Sequence, residues 1–179
     1  MVENVRYYAF IRAINTGGRR LTNDEVIAPF LDLGLEEVVA YQAAGNVTFV
    51  TEKDDALEHR LDGALRDSYG FDAPTFVRTN DQLRDIADRS PFSSSDLADT
   101  GGKVQLTFLR NAPDPALIAA VDDLVPPDDR VVHDGTEWWW LPKVGISDSK
   151  LPIPAIERTL GPMTIRTLGT IERMLRKFG

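Results

Sequence analysis

Apolar and polar positions along the first ninety residues switch repeatedly between a strand-like and a helix-like period. Val5 to Arg12 is a run of apolar, aromatic and branched residues, which suits a strand. Thr22 precedes Glu25 by three, the spacing of a capping box, and Val26, Ile27, Phe30 and Leu31 then give an amphipathic helix ending at Gly34. Val38 to Tyr41 and Val47 to Val50 read as two strands joined at Ala44-Gly45-Asn46. Leu57, Leu61, Ala64 and Leu65 share one face of a longer helix stopped at Gly70. A fourth strand over Pro74 to Arg78 and a closing helix over Asn80 to Arg89 complete a β-α-β-β-α-β order.

Residues 91–102, rich in Ser and Gly, read as a joint, after which the order repeats. Val104 to Arg110 is a strand and Pro115 to Leu124 a helix. Arg130 to His133 and Glu137 to Leu141 form a hairpin around Asp134-Gly135. Ser149 to Leu160 is mostly helix with Ser149 as its N-cap, Met163 to Arg166 a strand, and Leu168 to Phe178 a closing helix. The repeat extends to residues. Phe10-Ile11-Arg12 matches Phe108-Leu109-Arg110, and Phe76-Val77-Arg78-Thr79 matches Thr164-Ile165-Arg166-Thr167. The pattern predicts an α+β fold of two tandem ferredoxin-like halves, 1–90 and 103–179.

Tyr8 and Phe10 share one face of the first strand, and Tyr7, Ala9 and Ile11 the other, so both faces are apolar. Each sheet is therefore expected to be covered on both faces, by the other half or by a second copy of the chain. A cleft between halves is then a natural ligand position.

Composition narrows the function classes. There is no Cys, which removes disulfides, thiolate nucleophiles and Cys-based zinc sites. No apolar run is long enough for a membrane span, and the first residues lack the basic and apolar regions of a signal peptide. A cytosolic location is the expectation. The net charge of −8 argues against general attraction to nucleic acid.

The best candidate site lies where the first strand ends. Arg12 and Asn15 should meet Gln42, Gly45 and Asn46 there, because the second and third strands turn back beside that end. Gly17 and Gly18, followed by Arg19 and Arg20, lead into a helix N-terminus, where free N–H groups and the dipole favour an anion. Turn chemistry alone also explains Gly-Gly and Gly-Asn, with Arg12 and Asn46 tying loops together.

Several other features read as structural. Ser147-Asp148-Ser149-Lys150 has a Ser-x-x-Lys spacing without the partner motifs of an acylase. His59 reads as solvated on a helix face with Asp55, Asp62 and Arg66, and His133 as a turn residue. Asp122-Asp123 and Asp128-Asp129 read as solvated loop charge. Trp138 and Trp140 face one side of a strand and Trp139 the other, as core or as a stacking platform. No metal-ligand spacing and no cofactor motif is present.

Tyr8-Ala9-Phe10-Ile11-Arg12-Ala13-Ile14-Asn15-Thr16-Gly17-Gly18 and Tyr41-Gln42-Ala43-Ala44-Gly45-Asn46-Val47-Thr48-Phe49 resemble two signature blocks of the bacterial family called domain of unknown function 1697. Arg89-Ser90-Pro91-Phe92, Leu106-Thr107-Phe108-Leu109 and Ser149-Lys150-Leu151 resemble later blocks. Ala13 stands where that family more often has Gly. Thr164, Arg166 and Thr170 keep its C-terminal pattern, while Thr167, Leu168 and Gly169 depart from it. The resemblance implies a two-part α+β protein of the bacterial cytosol and no established activity. Two functions remain open: binding of a small anionic ligand, with enzymatic activity undecided, or a non-catalytic module that assembles with itself, as a homodimer, or with a protein partner.

Overall fold

The computed structural model describes residues 4–42, 44–89 and 91–179. The chain divides into two compact units, Met1–Ile86 with Met174–Gly179, and Ala87–Arg173. Each holds a four-stranded antiparallel sheet, which makes the fold α+β in two tandem halves.

In the first unit the strands are β1 (Asn4–Ile11), β2 (Glu36–Tyr41), β3 (Asn46–Glu52) and β4 (Thr75–Thr79), in spatial order β2-β3-β1-β4. Helices α1 (Asn23–Asp32) and α2 (Leu57–Tyr69) connect them, and α3 (Asn80–Asp88) follows β4. The predicted helical stripes pack except at Leu31, which is exposed. Val26 and Phe30 of α1 and Leu57, Leu61 and Leu65 of α2 bury against Tyr7, Ala9, Ile11, Val47 and Phe49 of the sheet. Full burial of such side chains contributes about 1.5–3 kcal/mol each. The α2 helix stops where Gly70 takes φ +74°, its N–H closing on the Arg66 carbonyl. Tyr69 then ties α2 to α1 by donating its hydroxyl to Val26 O at 2.8 Å, and burial pushes its phenol pKa up.

Tyr8, Phe10 and Phe76 point away from that core and are nonetheless buried, so β1 is covered on both faces as its sequence predicts. The Tyr8 hydroxyl donates to Asn80 Oδ1 at the start of α3. The β4 edge is closed chemically. Asp62 and Glu58, one turn apart on α2, accept the β4 backbone N–H groups of Thr75 and Val77 at 2.9 and 2.7 Å. Edge N–H groups left open would template pairing with another chain. Asp62 is therefore a half-buried acceptor rather than part of a solvated face.

The second unit holds β5 (Gln105–Leu109), β6 (Arg130–Asp134), β7 (Glu137–Leu141) and β8 (Met163–Thr167), in the equivalent order β6-β7-β5-β8. Helix α5 (Pro115–Asp122) contributes Val121, and α6 (Ile153–Leu160) contributes Ile156, to a core around Trp138 and Trp140. The internal repeat is visible atom by atom. Arg78 and Arg166, both largely buried, each donate from Nη1 to the preceding carbonyl, Val77 O at 2.8 Å and Ile165 O at 2.9 Å. The closing helix α7 (Leu168–Phe178) ends among residues of the first unit, where Phe178 meets Tyr41 edge-on at 5.8 Å.

Three expectations change. The segment 91–102 contains a short helix, α4 (Ser94–Ala98), opened by a Ser93/Asp96 capping box, and is held by Arg130–Asp96 and Lys143–Asp99 ion pairs, both at 2.9 Å. Helix α6 begins at Ile153, not at Ser149, because Pro152 and Pro154 suit a first turn that needs no donors. Ser149 Oγ instead donates to Asp129 and accepts from Leu151 N–H. Asp129 also accepts from Trp140 Nε1 and Lys143 N–H, both at 2.9 Å, so it is a half-buried hub and not loop charge.

Candidate functional site

At the end of the first sheet three strands are pinned together. Ile11 N–H donates to Gly45 O at 2.7 Å, and Arg12 N–H to Pro74 O at 2.9 Å. Gly45 takes φ +71°, and a Cβ there would lie 2.8 Å from Ile11 O. Both requirements select glycine. Asn46 is 1% exposed, and its amide donates to Tyr41 O at 3.3 Å across the β2–β3 turn. Arg12 thus follows the residue that bonds Gly45, and Asn46 pairs with Phe10 on the adjacent strand. Gly45 and Asn46, however, form the buried floor of this sheet end and offer no ligand-facing surface, while Gln42 stands exposed at φ +58°.

Residues 12–22 build the rim. Ala13 sits at φ +58°, with its carbonyl accepting from Thr16 Oγ1 at 3.0 Å. Gly17 and Gly18, both at positive φ, form a tight turn closed by Arg19 N–H to Thr16 O at 3.2 Å. Arg19 lies over the Phe71 ring at 3.8 Å. The Asn15 side chain accepts from Leu21 N–H at 3.0 Å, folding the loop back toward α1. Asn15, Arg20, Leu21 and Thr22 line a depression of about 420 Å³ beside this loop.

The first turn of α1 is not the anion seat that the sequence suggests. Thr22 N–H donates to Glu25 Oε2 at 2.7 Å, and Glu25 N–H donates to Thr22 Oγ1 at 3.2 Å. The Thr22 backbone N–H, joined by the Thr22 hydroxyl donating to Glu25 Oε2 at 2.9 Å, holds the Glu25 carboxyl below its usual pKa and keeps a carboxylate at the helix start. The helix's own acid thus takes up donors that an external anion would use. A cation for the depression comes instead from Arg20.

Sequence reasoning missed a second depression of about 530 Å³ at the opposite end of the sheet, among Glu36, Glu52, Lys53, Asp54 and Arg60. Asp54 is held below its usual pKa by Arg60 at 2.5 Å and by Ala56 N–H. The Lys53-Asp54-Asp55 run was the available signal. In the second unit the three indoles are at most 1% exposed, which leaves no ring face for stacking a ligand. His133 is a strand residue of β6. It stacks on Trp138 at 5.3 Å, and its Nε2 lies 2.8 Å from Asp122 Oδ1, so its acid partner is Asp122 and not the adjacent Asp134. Among the described residues no group of three His, Cys, Asp or Glu is placed to hold a metal ion.

A family model for proteins of unknown function, DUF1697, matches residues 5–139. The chain belongs to this family. The match covers the first sheet, its loops and the second unit as far as β7, and it ends before β8 and α7. A conserved bacterial protein from Streptococcus pneumoniae superposes with a TM-score of 0.71 at 21% identity, covering 97% of this chain and 98% of that one. At that identity the likeness concerns the fold alone. No curated protein matches the chain. Ala13 holds a left-handed φ that costs a Cβ-bearing residue about 1–2 kcal/mol and glycine almost nothing.

Proposed function

We propose that this DUF1697 protein is a cytosolic binder of a small anionic ligand, held in the depression beside residues 12–22 with Arg20 and Asn15 facing it. The observation that carries this reading is where the molecule puts its irregular backbone. Ala13 and Gln42, two of the three non-glycine residues described at positive φ, lie at one sheet end together with Gly17, Gly18 and Gly45. Left-handed backbone at Cβ-bearing residues in loops on a rigid scaffold is characteristic of binding sites. A volume of about 420 Å³ suits a ligand of metabolite size. The strand order β2-β3-β1-β4 supports reading each half as ferredoxin-like, a frame that hosts many functions, so the argument rests on the site.

The test is a titration with inorganic phosphate and a panel of nucleoside monophosphates, followed by thermal shift and by amide chemical shifts of residues 12–22. Binding is expected to move those amides. Arg20→Ala should weaken it by about tenfold or more, the loss expected for a hydrogen-bonded charge. Binding that ignores Arg20→Ala and Asn15→Ala, or that leaves residues 12–22 unmoved, sinks the proposal.

A further inference from the structure

The duplicated architecture supplies an internal control for surface chemistry. In the first half, α1 exposes Asn23, Asp24, Glu25 and Asp32, with Leu31 the single large apolar side chain among its exposed positions. Its counterpart α5, Pro-Ala-Leu-Ile-Ala-Ala-Val-Asp, is apolar nearly all round, yet only Val121 is buried. Ala116, Leu117, Ala119 and Ala120 face solvent, with Leu124 just past the helix end. Leu117 is 40% and Leu124 38% exposed. A helix apolar on all sides is normally buried, and here the solvent-facing side of α5 is not.

Charge decides what can cover it. From Asn111 to Asp128 there is no Lys, Arg or His, while Asp114, Asp122, Asp123 and Asp128 are all acidic and exposed. Asp114 caps the helix start, and Asp122 and Asp123 close its end. A second copy laid on this face would set like carboxylates against one another, and an anionic lipid surface would be repelled in the same way. A basic amphipathic helix satisfies both the leucines and the acidic rim.

We infer that the exposed face of α5 is a docking surface for a basic amphipathic helix of a protein partner. This surface is on a different unit from the anion site proposed above and stands independently of it. The probe is a short synthetic peptide of leucine and lysine at helical spacing, titrated into the full chain by calorimetry and by amide shifts. The expected result is binding that moves the α5 amides, weakens with added salt, and falls by about tenfold in Leu117→Glu and in Asp123→Asn. Leu31→Glu, an exposed leucine on α1, should bind like the parent. The inference is overturned by absence of binding, by equal binding of the same peptide with glutamate for lysine, or by indifference to Leu117→Glu. A concentration-dependent dimer that Leu117→Glu converts to monomer would likewise overturn it, in favour of a second copy.

Discussion

In the first unit the chain leaves β1 through residues 12–22 and passes from β2 to β3 through residues 42–45. The second unit has the same strand order but leaves β5 through residues 110–114 and turns from β6 to β7 on Gly135 and Thr136 alone. The bond that closes each sheet end is conserved in kind: Ile11 N–H to Gly45 O at 2.7 Å, and Leu109 N–H to Thr136 O at 2.8 Å. What differs is how much chain hangs on that bond. One half carries two longer loops, with Ala13 and Gln42 in left-handed backbone. The other closes with a tight turn in which Gly135 takes φ +62°. The two halves share a scaffold, and one sheet end is the more elaborate.

Paired glycine substitutions give the largest effect. Gly45→Ala meets both a positive φ and a backbone oxygen 2.8 Å from the new Cβ, whereas the same change at Gly135 meets open space. Loss of about 3 kcal/mol is expected at Gly45 and of about 1 kcal/mol at Gly135. Urea unfolding can separate them because all three tryptophans lie in the second unit: indole fluorescence reports that unit, and far-ultraviolet dichroism reports both. Equal losses at the two glycines would break the claim that the first sheet end is the more constrained.

A second contrast lies inside the sheets and is smaller. Thr48 on β3 donates to Tyr7 O at 3.1 Å and accepts from Arg6, while the buried Thr107 hydroxyl on β5 has no hydrogen-bond partner among the described residues. Replacing a bonded hydroxyl by methyl costs about 1 kcal/mol, and replacing an orphaned one is neutral or stabilising by up to about 1 kcal/mol. Thr48→Val should therefore lower the unfolding midpoint, and Thr107→Val should leave it unchanged or raise it. A destabilised Thr107→Val would mean that the second sheet satisfies this hydroxyl after all.

Much of this frame was legible in sequence because it is local. The Thr22-x-x-Glu25 box, the Leu57/Leu61/Leu65 stripe and the Asp134-Gly135 turn each announce an element within a few residues, and all three are present. Two residues read as solvent charge have partners distant in sequence: Asp62 reaches β4, and Asp129 gathers Trp140, Lys143 and Ser149. Asp122 is exposed as read, although it meets His133. The same limit applied to the candidate site. Gly45 and Asn46 were correctly brought to Arg12's end of the sheet, but their burial depends on how the β2–β3 turn folds over Ile11 and Ile14, which no spacing encodes. Arg20 belongs to the site because it lines the depression beside Asn15, a placement no local spacing encodes.

The smallest effect compares the two capping boxes, one in each unit. Glu25 is held below its usual pKa by the Thr22 backbone and hydroxyl, and Asp96 by the Ser93 hydroxyl and backbone with a further contribution from Arg130. A carboxyl whose folded pKa is depressed contributes stability that is fully present above its unfolded value, about 4 to 4.5, and is lost as pH falls through the folded value. At neutral pH, Glu25→Gln and Asp96→Asn should thus each lower the unfolding midpoint slightly. Asp96→Asn should lower it more, because it also removes the 2.9 Å ion pair to Arg130. Both differences from the parent should shrink as the solution is acidified below that range. Only Asp96→Asn should register in indole fluorescence, since its box belongs to the unit that holds the tryptophans. A Glu25→Gln effect that persists unchanged in acid would show that the box acts through geometry rather than charge, and would remove the electrostatic argument that α1 repels an anion at its own N-terminus.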